Sequence, residues 1–497
     1  MKDKTELEPL AKQVREKENS MRDRPVRWVV LCFTCLFITS RYYNFDVPQG
    51  MQKPLQDDLN LSPLQYNLLY TGYAVPNIIW PLFAGQVIDK IGCRLSILIF
   101  VSLILIGQSL FTIGCFAQSF ILLLIGRVTL GIGGEAVVVI KVPIMARWFR
   151  PNEQGIATGI MFAACRTGSI LQSTLTPLIY YHSQSTALAA AAGTILSIVS
   201  LSCGLVWIVL DRRAENYDKQ NRIPTERELS LAWLRDSDHS HIEHSRLRKA
   251  VTPLIITLAI NAGLTCGTIY TFLGNANKYL QERAAVSSET AGQYISLLYI
   301  LSVIFSLVFG KLVDKVGRRA YGATAASGMT LISFVIFLML PDCKGCLSYL
   351  IPMSLMGVGL GLWSSCLLPS VALVTKPRVV GTAMGFVNIM INIFQSAFPL
   401  IAGAVQKPSS EYQHGYYMPV LCYCLGAACA VMMGIVTIFI DKKKLLNATN
   451  VVRSLSSIRL SSDYNYETKP HSKHRVINSS SFDKIKKGIK EPLAHSM

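Results

Sequence analysis

Long apolar stretches alternate with short polar connections along most of this chain. Stretches of roughly 20 residues with little charge recur at 27–47, 64–87, 95–116, 120–147, 153–181, 187–210, 251–274, 290–313, 320–341, 347–374, 380–404 and 416–440. As a helix, each is long enough to cross about 30 Å of hydrocarbon with its backbone polar groups satisfied internally. The pattern predicts an all-α membrane protein with twelve transmembrane helices. Polar segments divide it into an N-terminal segment (1–26), a six-helix bundle (27–210), a linker (211–250), a second six-helix bundle (251–440) and a tail (441–497).

The two bundles carry one signature twice. Gly85-Gln86-Val87-Ile88-Asp89-Lys90-Ile91-Gly92-Cys93-Arg94 returns 225 residues later as Gly310-Lys311-Leu312-Val313-Asp314-Lys315-Val316-Gly317-Arg318-Arg319. Each copy joins the second and third spans of its own half, so the halves read as a duplication. Asp89 and Asp314 sit at helix ends, where a carboxylate accepts hydrogen bonds from free backbone amides and favours the positive pole of a neighbouring helix. Arg94 and Arg319 can clamp the same region. With Gly85 and Gly310 they form a candidate latch that holds the bundles together in one state and releases them in another, as rigid-body alternating access requires.

Charge fixes the expected orientation. The connections holding Lys90/Arg94, Arg147/Arg150, Lys315/Arg318/Arg319, Lys376/Arg378 and Lys442–Lys444 are basic, whereas the alternate loops are poor in Lys and Arg. The positive-inside rule puts both termini and the linker in the cytosol. Only 16% of residues are charged, so the net charge of +18 reads as topology plus tails and not as a nucleic-acid footprint. Residues 1–26 are hydrophilic, and the first span is expected to serve as an uncleaved signal. The basic tail is expected to be disordered and to lie against anionic membrane lipid, at roughly 1 kcal/mol per charge near the surface; a plain solubilising tail is the other reading. The thirteen cysteines fall mostly inside spans, as small apolar side chains. For Cys343 and Cys346, in a non-cytosolic loop, two unpaired thiols are favoured over a local disulfide. His239, His241 and His244 lie in the linker without a fourth ligand at fixed spacing, so a solvated helix is favoured over a zinc site. No metal, cofactor or catalytic motif is spelled out, and no enzymatic activity is expected.

The informative positions are those where the duplication breaks. Sliding the first half by 226 residues lays Gly131 and Gly133 on Gly357 and Gly359, and Gly155 and Gly159 on Gly381 and Gly385. In the same comparison Glu135 meets Gly361 and Arg166 meets Asn392. Both charges fall near the middle of their spans, where a charged side chain costs roughly 3 kcal/mol and is usually paired or functional. Glu135 suits an ammonium and Arg166, with its planar fork, a carboxylate, so together they complement a zwitterion such as an amino acid or short peptide. A brace in which the two pair with each other is the alternative. Tyr66, Tyr70, Tyr73 and Asn77 share helical spacing on the second span, and Asn388, Asn392 and Gln395 on the eleventh. They line the same cavity or bond helix to helix. Asp46 is expected to cap the outer mouth. Structural roles are expected for Arg127 and Lys141, with ion coupling as the other reading.

These residues also carry a resemblance. The doubled loop motif resembles that of the major facilitator superfamily. Tyr43-Asn44-Phe45-Asp46-Val47-Pro48, Gly131-Ile132-Gly133-Gly134-Glu135, Arg166-Thr167-Gly168-Ser169 and Leu210-Asp211-Arg212-Arg213-Ala214-Glu215 resemble its lysosomal dipeptide transporter branch, the major facilitator superfamily domain-containing protein 1 type. Similarity runs through most of 40–440. The resemblance implies a uniporter moving dipeptides, notably cationic ones, from lysosome to cytosol. It implies that Glu135 receives the peptide's amino end and Arg166 its carboxylate. It also implies a glycosylated single-pass accessory subunit. The sequence departs from the branch at two places. The N-terminal acidic dileucine sorting signal is missing, though Asp441-x-x-x-Leu445-Leu446 fits one. Lys141 stands where a neutral polar residue is expected, and a fixed positive charge there would repel cationic cargo.

The expectation is a twelve-helix carrier of short peptides, with Glu135, Arg166, Asn392, Tyr70, Tyr73 and Asn388 at the substrate. A proton-coupled amino-acid or organic-anion carrier is the alternative, and a non-transporting receptor or scaffold a more distant one.

Overall fold

The computed structural model describes residues 21–149, 153–220, 251–375, 380–406, 415–441 and 446. The described residues fall within one compact unit spanning 1–448. The expected linker histidines and nearly all of the tail lie outside them.

The first half comprises α1 (Val26–Gly50), α2 (Gln52–Leu59), α3 (Pro63–Ala74), α4 (Trp80–Ile91), α5 (Cys93–Phe116), α6 (Phe120–Trp148), α7 (Gln154–Ser183) and α8 (Thr186–Gln220). The second comprises α9 (Pro253–Arg283), α10 (Ser288–Val316), α11 (Arg319–Met339), α12 (Leu350–Val374), α13 (Val380–Val405) and α14 (Tyr417–Ile440). All twelve expected stretches appear as helix, and nine helices among the described residues are long and apolar enough to cross a membrane. The stretches that fall short are α1, the α3–α4 pair and α7. The α3–α4 pair falls short because each of its helices is only 12 residues long, whereas α1 carries polar side chains through its length, burying Thr34, Thr39, Ser40, Arg41, Asn44, Asp46 and Gln49.

The duplication is architectural. In the first half α1 packs on α7 and α8, and α5 on α6 and α8; in the second α9 packs on α13 and α14, and α11 on α12 and α14. The halves meet through α3 against α13 and α7 against α10, two contacts that exchange under the same symmetry.

Two boundaries differ from expectation for local reasons. The second span is not one helix: α3 ends at Ala74, a 3-10 turn runs Pro76–Ile78, and α4 restarts at Trp80. Pro76 has no N–H to donate to the Gly72 carbonyl, and at the next position the Asn77 Nδ2 donates 2.7 Å to the Tyr73 carbonyl. The sixth span continues ten residues past 210 because its charged end is held by basic side chains. Arg94 Nε lies 2.7 Å from Asp211 Oδ2 and its Nη2 pairs with Glu215, Arg147 approaches Asp211 at 3.5 Å, and Arg22 approaches Asp218 at 3.3 Å.

Two further expectations are corrected. Cys343 and Cys346, expected as free thiols, are joined in a disulfide with their Cα atoms 5.9 Å apart, within ordinary reach. Leu446 of the candidate sorting signal is fully buried, its carbonyl accepting 3.0 Å from the Arg319 N–H. That half of the signal belongs to the fold.

Glycine sets a close crossing in the first half, between α5 and α6. A Cβ on Gly126 would fall 2.7 Å from the Gly107 carbonyl oxygen and 2.7 Å from the Phe111 nitrogen. Backbone cannot yield as a side-chain tip can, so Gly126→Leu is expected to separate the helices at a cost of about 1–3 kcal/mol. Thermal melting in detergent checks this: a variant that melts like the parent would show the crossing to be loose.

Candidate functional site

The charged residues of the first half converge from α1, α6 and α7. Glu135, on α6, does not pair with Arg166. Its partner is Arg41 of α1, a residue the sequence reading passed over: Arg41 Nη2 forms a salt bridge to Glu135 Oε1. Tyr73 Oη donates to the same oxygen at 3.1 Å. The Arg41 side chain is 8% exposed and that of Glu135 15%. Arg41 also lies 4.1 Å from the centroid of the Tyr42 ring, a cation–π contact that offsets part of its lost hydration. Gly134 makes room for the cluster, since a Cβ there would meet Tyr73 Oη at 2.9 Å and Arg41 Cγ at 3.2 Å.

Two valences stay open. Both bonds to Glu135 end on Oε1, so Oε2 has no hydrogen bond among the described residues. Arg41 Nε is buried without an acceptor.

Arg166, on α7, reaches across to the second half. Its Nη1 donates 3.0 Å to Tyr270 Oη, and its guanidinium sits 5.9 Å from the Tyr299 ring centroid. Among the described residues no carboxylate lies within ion-pair distance of it. Tyr42 joins the two centres, lying within electrostatic reach of Glu135, Arg41 and Tyr270 on one side and of Arg166 on the other.

Asp46, expected at the outer mouth, is 3% exposed and lies among Arg41, Arg127 and Arg166. The reason is length: α1 runs to Gly50 and α2 follows, so the mouth is farther out. Arg127 is a brace. It donates to the carbonyls of Leu69 at 3.3 Å, Asn44 at 3.0 Å and Phe45 at 2.9 Å, tying α6 to α1 and α3. Lys141 lies over the Phe162 ring at 5.2 Å, one turn of α7 from Arg166.

The polar stripes divide their labour. Tyr73 holds Glu135, Asn77 bonds the Tyr73 carbonyl at the helix break, and Tyr66 Oη donates 2.7 Å to the Gly274 carbonyl of the second half. Tyr70 lines a narrow space between the halves, with Phe45, Ala74, Tyr270, Thr271, Gln395 and Pro399. Side chains wall it too closely to admit more than about one water. Asn392 donates 2.9 Å to the Asn388 carbonyl of its own helix, and Asn388 is half-buried on the same face.

The halves are sealed at the end away from the basic loops. Gln52 Nε2 donates 2.8 Å to Asn275 Oδ1, Asn275 Nδ2 donates 3.0 Å to Asn67 Oδ1, and Lys278 Nζ donates 2.7 Å to Gln56 Oε1. Thr71 donates 3.0 Å to the Ser396 carbonyl, and the Thr174 and Ser296 hydroxyls meet at 3.0 Å. At the basic end the arginines of the candidate latch bond within their own halves. Gly85 and Gly310 face open space, Arg94 is bound within its own half, and Arg319 donates 3.3 Å to the Ser365 carbonyl in its own. The Asp89 and Asp314 side chains lie outside the described residues.

Comparison with known proteins agrees with the resemblance read from the motifs. The Major Facilitator Superfamily model matches residues 29–399. The chain is similar to the lysosomal dipeptide transporter MFSD1 of Mus musculus, 28% identical over 389 residues, covering 76% of this chain and 80% of that one. Against MFSD1 of Danio rerio the identity is 27% over 442 residues, covering 86% and 90%. Among solved structures it is similar to a D-xylose–proton symporter, with a TM-score of 0.63 at 15% identity over 82% of this chain and 97% of that one. That last likeness speaks for the fold alone.

The seal generates a prediction. Asn275→Ala removes two interhalf bonds at roughly 0.6 kcal/mol each, which favours opening at that end about fivefold or more. Hydrogen–deuterium exchange over 63–74 and 270–280 is expected to speed up accordingly; unchanged exchange would remove these amides from the gate.

Proposed function

The chain belongs to the Major Facilitator Superfamily, and from that premise we propose that it carries small zwitterionic peptides, dipeptides first, across a membrane by alternating access. The observation that carries this reading is the pair of open valences at mid-depth. Among the described residues Glu135 keeps one carboxylate oxygen unspent, and Arg166 has no carboxylate within ion-pair distance, bonding the Tyr270 phenol beside the Tyr299 ring. A peptide ammonium would take Glu135 Oε2 and a peptide carboxylate the Arg166 fork, each a charge-assisted bond worth about 1.5–3 kcal/mol. Tyr70, Tyr73, Asn388 and Asn392 complete the proposed site.

On this reading the halves, 27–210 and 251–440, rock about the site. The basic end faces the cytosol with both termini, so the far-end seal is luminal and the arrangement is open toward the cytosol. Closing the cytosolic end would bring the Gly85–Arg94 and Gly310–Arg319 loops together as the latch. Similarity to named lysosomal dipeptide transporters supports a lysosomal membrane and export toward the cytosol. A uniport mode and a single-pass glycosylated accessory subunit belong to the same proposal. The chemistry is binding and release, with no bond made or broken.

Glu135→Gln keeps an acceptor for Arg41 and Tyr73 but removes the charge an ammonium needs; Arg166→Ala removes the carboxylate fork. Each is expected to lower dipeptide counterflow in proteoliposomes at least tenfold; Arg166→Ala is expected to keep its melting temperature within a few degrees, and Glu135→Gln to lower it, because Arg41 loses its ion pair. Flux at the parent level in either variant would reduce that residue to a structural part.

A further inference from the structure

We infer that the cargo is a dipeptide bearing an acidic side chain, and that Arg41 and Lys141 set this preference. The inference rests on the dipeptide reading above and specifies its charge class.

Positive charge outnumbers negative charge around the site. Arg41, Arg127, Arg166 and Lys141 supply positive charge; Glu135 and Asp46 supply negative. Four cations therefore face two carboxylates. Arg127 spends its donors on backbone carbonyls, which satisfy hydrogen bonding but cancel no charge.

A zwitterion does not correct the imbalance. Its ammonium must share Glu135 with Arg41, since Arg41 already holds Oε1, and two cations on one carboxylate leave a positive remainder. Its terminal carboxylate is spent on Arg166. A second carboxylate on the cargo would meet that remainder. Arg41 is not fully satisfied: its Nε, beside Gly134, is buried without an acceptor, and the side chain is more than nine-tenths buried. Lys141 acts in the same direction. Its Nζ lies over Phe162, which stands one helical turn from Arg166 on the same face of α7, toward the basic end. A second ammonium on the cargo would be repelled by Arg41 and Lys141 together, in surroundings where screening is weak.

The test uses the full chain, purified, with thermal shift against Ala-Glu, Ala-Ala and Ala-Lys, because a ligand that binds the folded state raises its melting temperature. Ala-Glu is expected to bind at least tenfold more tightly than Ala-Lys, about 1.4 kcal/mol. Lys141→Gln is expected to shrink that ratio about threefold or more, and Arg41→Gln to bring it near one. Arg41→Gln leaves Glu135 a donor, and the exposed part of Lys141 makes its variant the safer of the two for folding. Ala-Lys binding as well as or better than Ala-Glu in the parent overturns the inference while the dipeptide reading stands. A ratio unmoved in both variants overturns the assignment to Arg41 and Lys141. No shift with any of the three peptides overturns the dipeptide reading, and this inference falls with it.

Discussion

A carboxylate held at mid-depth by a guanidinium and a phenol is the constraint on which the rest of the first half depends. Leaving Glu135 alone in that setting would cost several kcal/mol, and so would leaving Arg41 alone. Each makes the other tolerable, and the neighbours are arranged to let them meet. Gly134 removes a Cβ that would collide with Tyr73 and Arg41. Tyr42, Phe45 and Tyr73 present ring faces to the guanidinium. Arg127 fixes α6 against the backbone of α1 and α3, so that the helices bearing the pair keep their spacing. The pair is strong and still incompletely satisfied, which is the condition a binding site must meet.

The two kinds of interaction are distributed in a way that favours rigid-body motion. Ion pairs such as Arg41–Glu135 and Arg94–Asp211 lie within a half. The contacts between halves are mostly amide and hydroxyl bonds: Gln52–Asn275, Asn275–Asn67, Thr71–Ser396 and Thr174–Ser296. Bonds of this second kind are worth roughly 0.6 kcal/mol each in membranes, so a handful of them makes a seal of a few kcal/mol. A buried charge left unpaired would cost more than several of them together. Separating the halves therefore breaks only what is cheap to break. Arg166 is the exception, because it bonds Tyr270 across the boundary while lacking a carboxylate. A ligand that supplied one would change how the halves hold together, and so would link binding to motion.

The sequence disclosed the scaffold well because hydrocarbon imposes a simple rule: a segment that crosses it must be helical and mostly apolar. The rule is weakest where function is strongest. The second span is cut into two 12-residue helices, and α1 and α7 carry Arg41, Asp46 and Arg166 within theirs. The comparison of halves flagged Glu135 and Arg166 but could not say what each touches, since pairing is a tertiary fact. Arg41 left a signal of the same kind: the 226-residue shift lays it on Gly267, a charge against a glycine inside a predicted span. The break at Pro76 was legible too, but the apolar run around it concealed how completely one proline divides the helix. The placement of Asp46 was not legible, because it depends on α1 continuing beyond its apolar stretch.

Family likeness and local charge speak to different questions here. Glycine positions, loop motifs and helix order pass down with the scaffold, and they say that the chain is built as two related halves. The cargo is decided by a few side chains that evolution can exchange without disturbing that scaffold, because a salt bridge to a neighbour and a salt bridge to a ligand satisfy a buried carboxylate almost equally. Arg41 illustrates this. Placed on α1, it pairs with Glu135 from within the protein, so on the proposed reading an incoming ammonium must share that carboxylate. Two carriers can then have the same fold and the same Gly-Gly-Glu stretch and still favour cargoes of opposite charge. The local inventory around Glu135 and Arg166 is therefore the stronger guide to what this chain carries, and the resemblance the stronger guide to how it moves.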